Sequence, residues 1–112
     1  MPNRATLVPE QPSDVTVYLV LDDFGDHGRH WRETSENEID EATVIDNLIT
    51  GHYRSPARII AFNTAEGWAR DVSEDVARSA IQVAIKTGRT ISPAAQEFYE
   101  WMTGEDVPAD VV

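Results

Sequence analysis

Apolar residues recur along this chain with two different periods. Val15 to Leu21 reads V-T-V-Y-L-V-L, a run rich in β-branched and aromatic residues, which predicts a strand. Val15, Val17, Leu19 and Leu21 share one face of it; Thr16, Tyr18 and Val20 share the other. Both faces are largely apolar, so the strand is expected at the centre of its sheet. Asp22 to Gly28 then supplies turn chemistry, with aspartates and glycines close together. Arg29 to Thr34 alternates, Trp31 and Glu33 against His30, Arg32 and Thr34. It reads as the second strand of a hairpin at the sheet edge, where charge discourages further pairing. A third strand is expected over Arg58 to Asn63, with Ile60 and Phe62 on one face and Ile59, Ala61 and Asn63 on the other. Thr64 to Val72, with Gly67 and Trp68, reads as a loop.

Helical spacing governs the rest. Ala42, Ile45, Leu48 and Ile49 form a buried stripe. Asp40 fits the N-cap, with Ile39 and Val44 as a hydrophobic staple; Ser35 with Glu38 is a competing, earlier capping box. Gly51 fits the position just past the helix end. A second helix is expected from an N-cap at Ser73, with Glu74 and Asp75 in its first turn and Gly88 at its end. Val76, Ala77, Ala80, Ile81, Val83, Ala84 and Ile85 give it a wide apolar face. Ser92-Pro93 starts a third helix, serine at the N-cap and proline at the first helical position. It runs to about Thr103, with Ala95, Phe98, Trp101 and Met102 inward, and Gly104 stops it.

The order ββαβαα implies an α+β fold: a small three-stranded sheet in the order 2-1-3, first strand central, with the helices on one face. A right-handed crossover through the first helix would bring the third strand beside the first. Residues 1–12, with three prolines, read as a flexible lead, residues 13–104 as one α+β domain, and residues 105–112 as a tail.

Composition narrows the chemistry. Among 112 residues, 20 acids against 9 bases leave a formal charge of −11, which repels phosphate backbones, so direct nucleic-acid binding is not expected. The acidity suits solubility first, and a partner protein with a basic face or DNA mimicry second. The chain has no cysteine, so disulfides, thiolate metal sites and a cysteine nucleophile are excluded. No apolar run approaches the ~20 residues of a membrane span, and the sequence reads as cytoplasmic.

Catalytic motifs are missing. No serine sits in a G-x-S-x-G elbow, and there is no glycine-rich phosphate loop; Lys86 is the single lysine. No catalytic residue, cofactor or metal site is therefore assigned, and the reading leans away from an enzyme. Asp22, Asp23, Asp26, His27 and His30 crowd one turn, but their spacing matches no metal-binding pattern and reads as a solvated hairpin turn. Trp31 and Tyr53 are candidates for exposed aromatics in an interface. The candidate ligand or interaction residues are Asn63, Thr64, Glu66, Trp68, Arg70 and Asp71, gathered where a buried strand ends and a helix begins. Such corners often bind ligands in α/β sheets. The competing reading is a structured loop in which Trp68 plugs the core and Arg70 pairs with an acid.

The strings V-Y-L-V-L-D-D-F-G, W-R-E-T and A-F-N-T-A-E-G-W-A-R-D-V-S-E-D together resemble a group of small, uncharacterised bacterial proteins, over about Val17 to Arg78. That group has no assigned activity, so the resemblance implies a bacterial cytoplasmic protein and brings no site residues. Three functions stay open: a non-enzymatic acidic interaction module, a small-molecule-binding protein or minor enzyme using the Asn63–Ser73 corner, and an acidic DNA mimic.

Overall fold

The computed structural model describes residues 16–23, 25–31, 40–63 and 65–112. The lead, residue 64, the expected second-strand residues beyond Trp31, the Ile39 staple and the Ser35–Glu38 capping box lie outside the described residues. The elements in chain order are β1 (Thr16–Asp23), a 3₁₀ turn (Gly25–His27), β2 (Arg29–Trp31), α1 (Glu41–Thr50), β3 (Pro56–Asn63), β4 (Trp68–Asp71), α2 (Ser73–Thr87), α3 (Pro93–Thr103) and a 3₁₀ turn (Ala109–Val111).

The fold is α+β, and its sheet is antiparallel in the order β2-β1-β3-β4. The expected order 2-1-3 is present with β1 central, but the three-stranded expectation is corrected by a fourth strand inside the supposed loop. The reason is turn chemistry. Asn63 and Trp68 are paired across the hairpin, and the backbone N–H of Gly67, at φ +74°, donates to the carbonyl of Asn63. Trp68 to Asp71 lacks an apolar alternation because it is an exposed edge strand, and only Trp68 packs against the core. Since β2 and β3 both run antiparallel to β1, they run parallel to each other across it.

Register sorts the sheet into two faces. Tyr18, Val20 and Asp22 of β1 face the same side as Ile59, Ala61 and Asn63 of β3, and this side meets the helices. Val44, Ile45, Leu48 and Ile49 of α1, Val76, Ala77, Ala80, Ile81 and Ala84 of α2, and Ala95, Phe98 and Tyr99 of α3 complete the core. Phe62 lies on the opposite face and is half-buried.

Three helix details depart from the sequence reading. Ala42 is exposed and Ile85 is 43% exposed, so the buried stripes of α1 and α2 are narrower than expected. Trp101, expected inward, is 79% exposed. The stripe Ala95, Phe98, Tyr99, Met102 already follows i, i+3, i+4, i+7, and Trp101 falls outside it. Residues 105–112, expected as a tail, return to the core: Val111 is fully buried and its carbonyl accepts the Ile91 N–H at 2.8 Å.

The caps fix the helix ends. The Asp40 carboxylate accepts the Thr43 N–H at 2.8 Å, and Ser92 Oγ accepts the Ala95 N–H at 3.1 Å. Ser92 also ties α3 to α1: its N–H donates to the Ile49 carbonyl and its hydroxyl to the Leu48 carbonyl, at 3.0 Å each. Gly51 sits beneath this junction at φ +85°, and a Cβ there would meet Ser92 Cβ at 3.1 Å.

Two predictions follow from these joints. Gly51→Ala combines left-handed strain of roughly 1–2 kcal/mol with crowding against Ser92, and a matching loss of unfolding free energy is expected in urea titration. At Asp40, the Thr43 N–H bond holds the carboxyl below the usual carboxylate range. A depressed folded value means the stabilisation is fully present above the ordinary unfolded value and is lost as pH falls through the folded one. The stability gap between wild type and Asp40→Ala, about 0.5–1 kcal/mol at neutral pH, is therefore expected to close as thermal melts are taken below about pH 4.

Candidate functional site

The corner singled out in the sequence is a hairpin that staples the sheet to α2. Asn63 is buried; its Oδ1 accepts the Glu66 N–H at 2.8 Å and its Nδ2 donates to Thr16 Oγ1 at 3.4 Å. Glu66 Oε1 accepts the Trp68 indole N–H at 2.7 Å, and the Arg70 guanidinium lies 4.8 Å from the centre of the Trp68 ring. Trp68 and Arg70 pair with Asn63 and Ala61, so they share the helical side of the sheet. Thr64 lies outside the described residues.

Asp71 links this corner to two neighbours. Its Oδ1 accepts the Ser73 N–H at 2.8 Å, and its Oδ2 lies 3.3 Å from Arg58 Nε. The expected N-cap at Ser73 is thereby corrected. Val72 occupies the cap position without a side-chain bond, and Ser73 is the first helical residue. Its buried hydroxyl instead accepts the Ile59 N–H at 2.8 Å, while the Ile59 carbonyl accepts the Val72 N–H at 2.9 Å. Trp68 packs against the core, and the Arg70 guanidinium lies over its ring, where pairing with an acid was expected. These polar groups hold one another and the strand ends.

The turn of aspartates and histidines divides in the same way. Asp22 is completely buried, and its two oxygens accept the Arg54 and Ser55 N–H groups at 2.9 and 2.7 Å. Asp23 accepts the Gly25 N–H and lies 3.5 Å from Arg29 Nε. His27 and His30 are exposed, with His30 Nε2 at 2.8 Å from the His27 carbonyl oxygen. Among the described residues, no group of three or more histidines, cysteines, aspartates or glutamates is placed to hold a metal. No helix among them is long and apolar enough to cross a membrane.

The concave surface lies elsewhere, beside α3. A groove of about 310 Å³ runs between the first turns of α3 and the start of β3, with Asp23, Arg29, Arg58, Glu97, Phe98 and Trp101 among its walls. Ala94, Glu97 and Trp101 recur at helical spacing on α3, so they line one side together. Phe98 forms the floor because it also belongs to the core. Arg29 and Arg58 are each engaged by an aspartate, Asp23 and Asp71, so neither is tied to Glu97. A second depression, walled by Arg54, Gln96, Glu97 and Glu100, continues past Glu97 along the same helix.

Sequence reasoning missed this site. The signal was present: the α3 stripe is complete without Trp101, which left a tryptophan with no place in the core. The Arg58 wall carried no local signal, because β3 begins at Pro56 rather than at Arg58. Tyr53, a candidate exposed aromatic, is instead buried, with its hydroxyl accepting from Asn47 Nδ2 at 3.3 Å. Trp31 is 48% exposed, as the edge position suggested.

Comparison with known proteins adds no functional assignment: no family model matches the chain, and neither a curated protein nor a solved structure matches it.

Asp22 gives the testable consequence. Asp22→Ala strands two part-buried backbone donors, at roughly 1–3 kcal/mol each, so a loss of about 2–6 kcal/mol is expected by urea titration. Hydrogen exchange is expected to rise at Arg54 and Ser55 before the helices respond.

Proposed function

We propose that this chain is a non-enzymatic protein-interaction module whose acidic helical layer docks a partner with a basic face, with Trp101 as the apolar anchor. The exposure of Trp101 carries this reading. A tryptophan presenting 79% of its surface to solvent contributes nothing to the core, while tryptophan is among the residues that dominate binding energy at interfaces. It stands on the rim of a groove floored by Phe98, with Glu97 one turn before it and Glu100 adjacent in sequence.

Charge supports the choice of partner. The three helices carry Glu41, Asp46, Glu74, Asp75, Glu97 and Glu100 against Arg78 and Lys86. With a formal charge of −11 over the whole chain, long-range attraction favours a basic surface and disfavours a phosphate backbone. Such a complex forms fast and weakens with salt. Its polar contacts lie on the rim, and its affinity rests on the indole. The absence of cysteine from the sequence is compatible with a reducing, cytoplasmic setting.

A displayed library of random peptides, selected on the wild-type protein and counter-selected on Trp101→Ala, tests the proposal. The expected winners carry an apolar residue flanked by lysine or arginine. Their affinity is expected to fall at least tenfold on Trp101→Ala and again at high salt. Trp101→Ala itself is expected to shift stability by no more than about 0.5 kcal/mol, because the side chain leaves the core untouched. A selection that enriches no peptide distinguishing wild type from Trp101→Ala overturns the reading.

A further inference from the structure

Among the described residues, the second face of the sheet is apolar and has no helix on it. Val17 pairs with Phe62, Leu19 with Ile60, and Leu21 lies between Arg58 and Trp31. Ala69 extends the Phe62 row on β4. The five large aliphatic and aromatic side chains of β1 and β3 in these rows are half-buried. None belongs to the helical core or packs against it. Trp31, 48% exposed, stands at one edge of the same face. A solvated antiparallel sheet alternates apolar and polar positions, and β1 does not.

We infer that this face binds a second copy of the same chain, sheet against sheet, and that the protein is a dissociable homodimer. Charge decides for a second copy over a basic partner here. Among the described residues, the charges flanking the apolar rows pair off, Asp23 with Arg29 at 3.5 Å and Arg58 with Asp71 at 3.3 Å. Among the described residues, the helices on the other side of the sheet carry six acids against two bases. Two chains of like charge repel least when their neutral faces meet and their acidic layers point apart. Packed sheets lie about 10 Å apart, and the helical layers stand farther still, beyond the roughly 8 Å screening length of physiological salt.

Area sets the strength. Strands about 4.8 Å apart, rising about 3.4 Å per residue, give these four strands a projected face of roughly 400 Å². The corrugated surface of two such faces buries on the order of 1,000 Å², the lower edge of specific interfaces. Association in the micromolar range, not an obligate dimer, is the expectation. A twofold interface uses the same patch on both chains, so the patch must be self-complementary, which an apolar face is. This inference is independent of the role given to Trp101.

Sedimentation velocity of the full chain over a concentration series tests it, with circular dichroism confirming the fold of each variant. Wild type is expected to pass from monomer to dimer as concentration rises. Ile60→Thr and Phe62→Thr, which keep strand propensity, are expected to raise the dissociation constant at least tenfold. Trp31→Ser, at an exposed edge position, provides a variant that leaves the helical core intact and is expected to weaken the dimer as well. Trp101→Ala is expected to dimerise like wild type, which separates failure here from failure of the helical-layer reading. A wild type that stays monomeric throughout overturns the inference, as does a dimer indifferent to all three sheet-face variants. A monomer that dimerises only when residues 1–15 are removed also overturns it, because that segment of the chain is then the occupant.

Discussion

The buried carboxylate of Asp22 determines where the rest of the sheet can go. It lies at the end of the central strand, beside a register shift between Leu21 and Asp22, and grips the backbone of Arg54 and Ser55 just before β3 begins. A carboxylate with no solvent is costly unless its oxygens are satisfied, and two backbone donors are among the groups that satisfy it. The same clamp brings the Asp23 N–H to the Ser55 carbonyl at 3.0 Å. Once that junction is set, β3 enters with Ile59 facing the helices and Ile60 facing away. A slip of one residue would exchange the two faces.

From this register, the second junction follows. Ile59 receives the Ser73 hydroxyl on its N–H and the Val72 N–H on its carbonyl. The start of α2 is therefore attached to the centre of the sheet, and the alanines at 77, 80 and 84 let the helix lie close. Ser92 makes the corresponding attachment between α1 and α3. Among the described residues, no buried side-chain nitrogen or oxygen lacks a partner. The polar residues that invite a catalytic reading, Asp22, Asn63, Asp71 and Ser73, hold the backbone where strands meet turns and helices.

Much of this was legible in order, little of it in partnership. The strands β1 and β3, the caps at Asp40 and Ser92, and the stops at Gly51, Gly88 and Gly104 are local features, and periodicity with cap chemistry suffices to place them. Strand β4 was not, because W-A-R-D has the polarity of a loop and becomes a strand only by pairing with Ile60 to Asn63. Ser73 was misassigned for a related reason. Serine before two acids has the local form of an N-cap, but its hydroxyl is claimed by Ile59, fourteen residues away, and Asp71 serves the helix start instead. Val111 was invisible to any window, since a short apolar C-terminus acquires meaning only from the gap it fills. Trp101 was recoverable in principle, by asking whether the α3 stripe was already complete.

The two-sided apolarity of β1 has two causes that sequence cannot separate. One is central position, which is present: β1 lies between β2 and β3. The other is burial of both faces, which helices on one side do not supply. The helical face has its cover in α1, α2 and α3. Among the described residues, the far face has strand neighbours and no layer packed on it. The acids follow the same division. Among the described residues they crowd the helical layer, where exposed helix positions tolerate charge, and on the far side Asp23 and Asp71 are paired with Arg29 and Arg58. A chain selected for solubility alone would place charge where apolar surface is open. Among its described residues, this chain places the excess on the helices and flanks Val17, Leu19, Leu21, Ile60 and Phe62 with paired charges. That arrangement suits a surface that meets another neutral, apolar surface, while the acidic layer remains free for partners of opposite charge.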